Sequence, residues 1–112
     1  MSDNEKSPEQ TAAFVDAVCK HQGWEPNPNT AFRMRVEQGL ARNYGRYGYF
    51  LCPCRDGEGK RAADKDIVCP CIYAKPDIAE HGHCFCGLYM STSFAQSGKE
   101  TEQIPERRPE QE

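Results

Sequence analysis

The chain has 112 residues, which suits one domain of ordinary size spanning 1–112. It carries 14 Lys+Arg against 17 Asp+Glu, a formal net charge of −3 with a pI near 5.6, and so lacks the basic surplus of a general nucleic-acid binder. Only 38% of residues are hydrophobic, mean hydropathy is −0.83, and no apolar run approaches the roughly 18 residues that span a bilayer, which excludes a membrane role.

The polar, acidic start, residues 1–6, is expected to be disordered, and it shows no basic stretch followed by an apolar one, so no secretory signal is visible. Ser7-Pro8-Glu9-Gln10 then predicts a helix start, with Ser7 as N-cap, Pro8 in the first position and Gln10 closing a capping box. Phe14, Val15, Val18 and Cys19 follow at helical spacing, and Gly23 is a stop. Asn27-Pro28 predicts a second cap, before a helix to about Tyr44 whose stripe is Phe32, Val36 and Leu40. The aromatics Tyr44, Tyr47, Tyr49 and Phe50 lead into the first cysteine pair and are expected to pack as core and as a lid over a cofactor. A polar loop, Arg55 to Asp66, holds at most one helical turn, and a short helix is expected over Pro76–Glu80 before a turn at Gly82. Gly87 to Phe94 carries no clear pattern, and residues 98–112, charged and with two prolines, are expected to be a tail that is extended or disordered.

Charge is uneven. Residues 33–61 hold seven basic side chains (Arg33, Arg35, Arg42, Arg46, Arg55, Lys60, Arg61) against Glu37, Asp56 and Glu58, a local +4 that leaves −7 elsewhere. Two readings stand: a solvated helix face, or a docking surface for an acidic partner beside the cysteines.

Seven cysteines in a small chain with no visible export signal point to the cytoplasm, where thiols are kept reduced, and to a metal or cluster that supplies folding energy. Six of them form three pairs: Cys52-Pro53-Cys54, Cys69-Pro70-Cys71 and Cys84-Phe85-Cys86, separated by 14 and 12 residues. Partners at i, i+2 bridge each other poorly, and the missing export signal counts against a purely structural disulfide set. A zinc site takes four ligands, usually at wider spacing within a pair, and would leave two thiols over. One 4Fe–4S cluster also takes four and leaves two, which then lie beside it as a dithiol/disulfide centre. The arithmetic gives four plus two and does not say which four. Proline fixes φ in both Cys-Pro-Cys pairs and stiffens the relation of the two thiols. Cys19, on the first helix, is expected to be a small buried hydrophobe.

These residues resemble the catalytic (beta) chain of ferredoxin:thioredoxin reductase. The resemblance covers roughly residues 9–95 and rests on Phe50-Leu51-Cys52-Pro53-Cys54-Arg55, Asp66-Ile67-Val68-Cys69-Pro70-Cys71 and Gly82-His83-Cys84-Phe85-Cys86-Gly87-Leu88. It implies that Cys52, Cys69, Cys71 and Cys84 bind a 4Fe–4S cluster and that Cys54 and Cys86 form the redox disulfide. Cys54 would then be the nucleophile and Cys86 the thiol facing the cluster. It further implies that electrons from reduced ferredoxin pass one at a time through the cluster to that disulfide. After the first electron the cluster would hold Cys86 while Cys54 attacks the disulfide of a thioredoxin-like or glutaredoxin-like protein, and the second would release Cys86 to resolve the mixed disulfide, with a second, non-catalytic subunit as a possible partner. Two departures stand out. Phe85 occupies the place where the family usually has His, with His83 and His81 as candidate substitutes, and the last spacer is longer than in plant-type chains. Both suggest a bacterial or archaeal variant whose target differs from a standard thioredoxin. The expected fold is a small, mainly α domain with loops wrapped around the cluster. The alternatives are a 4Fe–4S electron carrier or redox sensor without disulfide exchange, and a structural zinc module.

Overall fold

A computed structural model describes residues 5–55 and 57–109. Most of the expected disordered start, residues 1–4, and the last residues of the tail, 110–112, lie outside the described residues. The chain runs α1 (Pro8–Gln22), β1 (Glu25–Pro26), α2 (Thr30–Tyr47), α3 (Arg61–Asp64) with a 3-10 turn at Lys65–Ile67, α4 (Ala74–His81), β2 (Tyr89–Met90) and α5 (Thr92–Ser97). The mainly helical expectation holds, and none of these helices is long and apolar enough to cross a membrane.

Local chemistry sets the first helix as expected. The Ser7 hydroxyl accepts from Gln10 N–H at 3.1 Å, the Gln10 side chain accepts from Ser7 N–H at 2.9 Å, and Pro8 opens the first turn. Gly23 ends it in the left-handed region (φ 76°), where its N–H closes on the Cys19 carbonyl at 2.9 Å.

The second helix departs from expectation at both ends. Its cap is Asn29, whose side chain accepts from Phe32 N–H, two residues later than Asn27. The Asn27 side chain is buried and donates instead to the Gly87 carbonyl at 2.8 Å, a bond across 60 residues. At the other end α2 continues through Gly45 to Tyr47, and Gly48 (φ 82°) stops it.

Helices α1 and α2 pack together through Val15 and Cys19 on one side and Val36 and Leu40 on the other, all buried. Burial of Val15 and Leu40 contributes about 1.5–3 kcal/mol each. The same core takes in Ala74 and Ile78 of α4, and Cys84, Leu88 and Tyr89, so the helices form a floor under the second and third cysteine pairs. Cys19 is a buried part of that seam, as expected, and burial pushes its thiol up to about 11.

A smaller core of Tyr49, Leu51, Cys52 and Ile67 seats the first pair. Backbone bonds lock the first two pairs side by side: Cys52 N–H to the Ile67 carbonyl at 3.0 Å and Cys69 N–H to the Phe50 carbonyl at 2.7 Å. The loop before α3 is tied by one carboxylate. Asp64 is fully buried and accepts from the Tyr49 hydroxyl at 2.7 Å, Glu58 N–H at 2.9 Å and Gly59 N–H at 3.1 Å. Burial pushes its pKa up, but these donors outweigh it and hold the carboxyl below its ordinary range.

Two stretches behave differently from expectation. The segment without a clear pattern, Gly87 to Phe94, contains β2, which pairs antiparallel with β1, and the start of α5. The tail is extended as expected through residue 109, yet it is not loose: Ile104 is buried, and Glu106, Arg107 and Arg108 are all ion-paired to the body.

Candidate redox site

Cys52, Cys69, Cys71, Cys84 and Cys86 line one small apolar-walled pocket, closed by Val36 and Leu40 from α2, Ala74 from α4, and Leu88 and Tyr89 from the third-pair loop. Cys54 is not in that wall and is the one exposed thiol among the described cysteines. Among the described residues, no three His, Cys, Asp or Glu side chains already stand in the arrangement of a single-ion site.

Each sulfur has a definite surrounding. Cys52 and Cys86 touch, Sγ to Sγ at 2.9 Å. Cys54 and Cys86 are close enough to shift each other's titration, so Cys86 acts on both a pocket sulfur and the exposed one. Its proton shared in this way stabilises the neighbouring thiolates: Cys52 is lowered to about 7, Cys54 is lowered, and Cys86 itself is raised. Cys69 takes the Tyr89 hydroxyl at 3.2 Å, and Cys84 accepts from Tyr89 N–H at 3.4 Å. Burial raises Cys69, Cys71 and Cys84, the last to about 12. As free thiolates these three would be costly; as metal ligands they have their charge neutralised, so the donor set is one of soft, buried sulfurs suited to iron–sulfur or zinc.

Arg55 corrects an expectation. Its place among the basic residues 33–61 suggests a surface charge, but its side chain is only 3% exposed and reaches the cysteine sulfurs. Its Nη1 donates to Cys71 Sγ at 3.3 Å and lies 3.9 Å from Cys52 Sγ. The guanidinium stands 4.4 Å from the Phe85 ring centre and 5.3 Å from that of Tyr73, and Glu106 grips its other edge at 2.7 and 2.8 Å. Phe85 therefore stacks on a cation. The local +4 of residues 33–61 is further reduced by Arg33, which pairs with Asp16 and Glu37, both at 2.8 Å. Among the described residues, Arg42 and Arg46 stay exposed on α2 with no ion pair.

His83 is buried with both ring nitrogens committed: Nε2 accepts from Glu102 N–H at 3.2 Å, which leaves Nδ1 to donate to the Cys84 carbonyl at 2.8 Å. It orients the third pair. His81, in the last turn of α4, faces Glu80 at 3.8 Å. The aromatics before the first pair pack as core, with Phe14 against Phe50 at 4.3 Å and Tyr47 against Tyr49 at 5.9 Å. None of them lines the cysteine pocket, so the lid expected of them is supplied by Phe85 and Tyr89.

The model of the family described as "Ferredoxin thioredoxin reductase catalytic beta chain" matches residues 1–110. The chain is 38% identical over 80 residues to the ferredoxin-thioredoxin reductase catalytic chain of Porphyra purpurea, covering 70% of this chain and 64% of that one. It is 30% identical over 101 residues to the protein of that name from Cyanidium caldarium, covering 88% and 87%. A chloroplastic catalytic chain from Spinacia oleracea is 28% identical over 99 residues, covering 87% of this chain and 66% of the relative. The chain thus spans about two thirds of the Porphyra and spinach relatives and most of the Cyanidium one.

Proposed function

The chain belongs to the ferredoxin thioredoxin reductase catalytic beta chain family, and on that premise we propose that it is a ferredoxin-dependent reductase of a thioredoxin-like or glutaredoxin-like disulfide. One observation carries the proposal: five of the six paired thiols line one pocket, while Cys54, two residues from the pocket's Cys52, is the one exposed thiol among the described cysteines. A carrier or sensor has no use for an exposed thiol so placed.

Within this reading Cys52, Cys69, Cys71 and Cys84 hold a 4Fe–4S cluster, because they are soft donors, buried or half-buried, around one apolar wall. When bound, the cluster supplies one-electron chemistry, which matches a ferredoxin's single electrons to a two-electron disulfide. The chain's own residues do the exchange. Cys54, lowered by its bond from Cys86 and exposed, attacks one sulfur of the target disulfide; that S–S bond breaks and the target's other sulfur leaves as a thiolate. Cys86 then gives up its proton and attacks Cys54 in the mixed disulfide. The target's second sulfur leaves, the target takes up two protons, and Cys54–Cys86 is left oxidised, ready for two electrons from ferredoxin. The pocket walls keep water from the buried sulfurs, and Arg55 places positive charge where negative charge collects.

We also read residues 1–112 as a single catalytic domain and place its work in a reducing compartment, the cytoplasm, with a second subunit as a further partner. The spinach relative carries "chloroplastic" in its name. Arg42 and Arg46 on α2 are the docking residues for an acidic ferredoxin. The test of the exchange role is Cys86→Ser: it is expected to stall on the target as a stable mixed disulfide through Cys54, mapped by peptide mass. Capture through any other cysteine, or none, would refute it.

A further inference from the structure

The carboxyl-terminal segment is tied to residues around the cysteine site at several points. Thr101 packs where a side chain at Gly87 would stand, Glu102 N–H caps His83, and Ile104 is buried. Glu106 holds Arg55, Arg107 holds Asp77 and Glu80, and Arg108 holds Asp66. One strap thus binds the 3-10 turn before the second pair, helix α4 after it, the loop of the third pair and the residue after Cys54. Of these contacts, only Glu106 is linked to sulfur, through Arg55, whose guanidinium bonds Glu106 on one edge and the Cys71 and Cys52 sulfurs on another. Phe85 and Tyr73 sandwich the cation and leave it little freedom to move elsewhere.

Resting on the disulfide-reductase reading, we infer that Glu106 and Arg55 form a positioning pair: the tail carboxylate clamps the guanidinium at the sulfurs of the site, and this clamp sets the Cys54–Cys86 dithiol/disulfide balance. A cation held 3.3 Å from Cys71 and 3.9 Å from Cys52, whose sulfur touches Cys86, favours the reduced, more negative state of the site. Glu106 carries negative charge itself, so its own field opposes reduction. It helps only by holding Arg55 in place. That opposition of signs makes the pair testable.

The intact, iron-loaded protein is equilibrated in glutathione redox buffers at fixed pH, and the fraction of Cys54 and Cys86 alkylated is read by mass. Arg55→Met is expected to shift the equilibrium about tenfold toward the disulfide, about 30 mV for this two-electron couple. Arg55→Lys recovers part of the shift, because it restores charge without the planar fork. Glu106→Ala alone shifts the same way by a smaller factor; in the Arg55→Met background, where no clamp is left to lose, it does not add to that shift and only relieves its own opposing charge. Arg107→Gln, which loosens the strap away from sulfur, lowers the unfolding midpoint and leaves the equilibrium unchanged. Circular dichroism and iron content report any variant that fails to fold. No shift in either Arg55 variant, a shift toward the dithiol in Glu106→Ala, or additive effects would overturn the inference. If the wild-type protein forms no Cys54–Cys86 disulfide in any buffer, the reductase reading falls and this inference with it.

Discussion

Gly39 sits in the middle of α2, where alanine would ordinarily be the better residue. A helix-interior glycine costs about 1 kcal/mol relative to alanine, so Gly39→Ala at a free helix surface would stabilise the protein by that amount. The structure predicts the reverse. A Cβ at Gly39 would stand 2.7 Å from Pro53 Cβ, against the 3.4 Å at which ordinary contact begins, so the proline has to retreat by about 0.7 Å. Pro53 is a rigid ring between Cys52 and Cys54, and Cys52 is fixed by its bond to the Ile67 carbonyl, so the movement falls on Cys54. Overpacking of this kind costs about 1–3 kcal/mol, which exceeds the propensity gain, for a net loss of about 1 kcal/mol. Because misplacing a reacting group by about 1 Å costs up to 100-fold, disulfide reduction should fall by about tenfold or more while iron content holds. Urea unfolding and turnover with a thioredoxin-like substrate, beside an exposed-neighbour control at Gln38→Ala, measure both. Stabilisation by about 1 kcal/mol with unchanged turnover would refute the close approach of α2 to the first cysteine pair.

Three further outcomes follow from other contacts. Asp64→Asn should cost about 1–3 kcal/mol in urea unfolding, because it weakens one buried acceptor serving three donors. Since the folded-state pKa of Asp64 is lowered, its stabilisation is complete above the ordinary carboxylate range near pH 4 and is lost as pH falls below it; the Asn variant should flatten that part of the acid-unfolding curve. Ile104→Ala should cost about 2 kcal/mol if the tail is a packed strap; no loss would mean that it is not. Arg42→Glu and Arg46→Glu should slow electron delivery from an acidic ferredoxin by about tenfold at low salt and flatten its salt dependence, measured by stopped flow; equal rates would leave α2 a solvated face.

What could be seen in the sequence was set by chemistry acting within a few residues. Ser7, Pro8 and Gln10 make their bonds with each other, and Gly23 with Cys19, so that helix could be bounded by inspection. The cysteine pairs were legible for the same reason. Asn27 and Asn29 both flank Pro28 and are equivalent as caps locally; what separates them is the Gly87 carbonyl, 60 residues away, which takes Asn27. Arg55 looked like part of a basic surface because its partners, Glu106 and the Cys71 sulfur, are distant in sequence. The tail's composition is charged, and nothing local shows that Glu106, Arg107 and Arg108 meet opposite charges on the body, in Arg55, Asp77 and Asp66. Strand β2 was illegible because a two-residue ladder carries almost no periodicity.

The central claim is the division of six thiols into four that hold a cluster and two that exchange. Iron and sulfide content of the six single Cys→Ser variants tests it most directly. The account predicts that Cys52, Cys69, Cys71 and Cys84 variants lose iron and sulfide together, while Cys54 and Cys86 variants keep both. Retention in any of the four, or loss in either of the two, would contradict it.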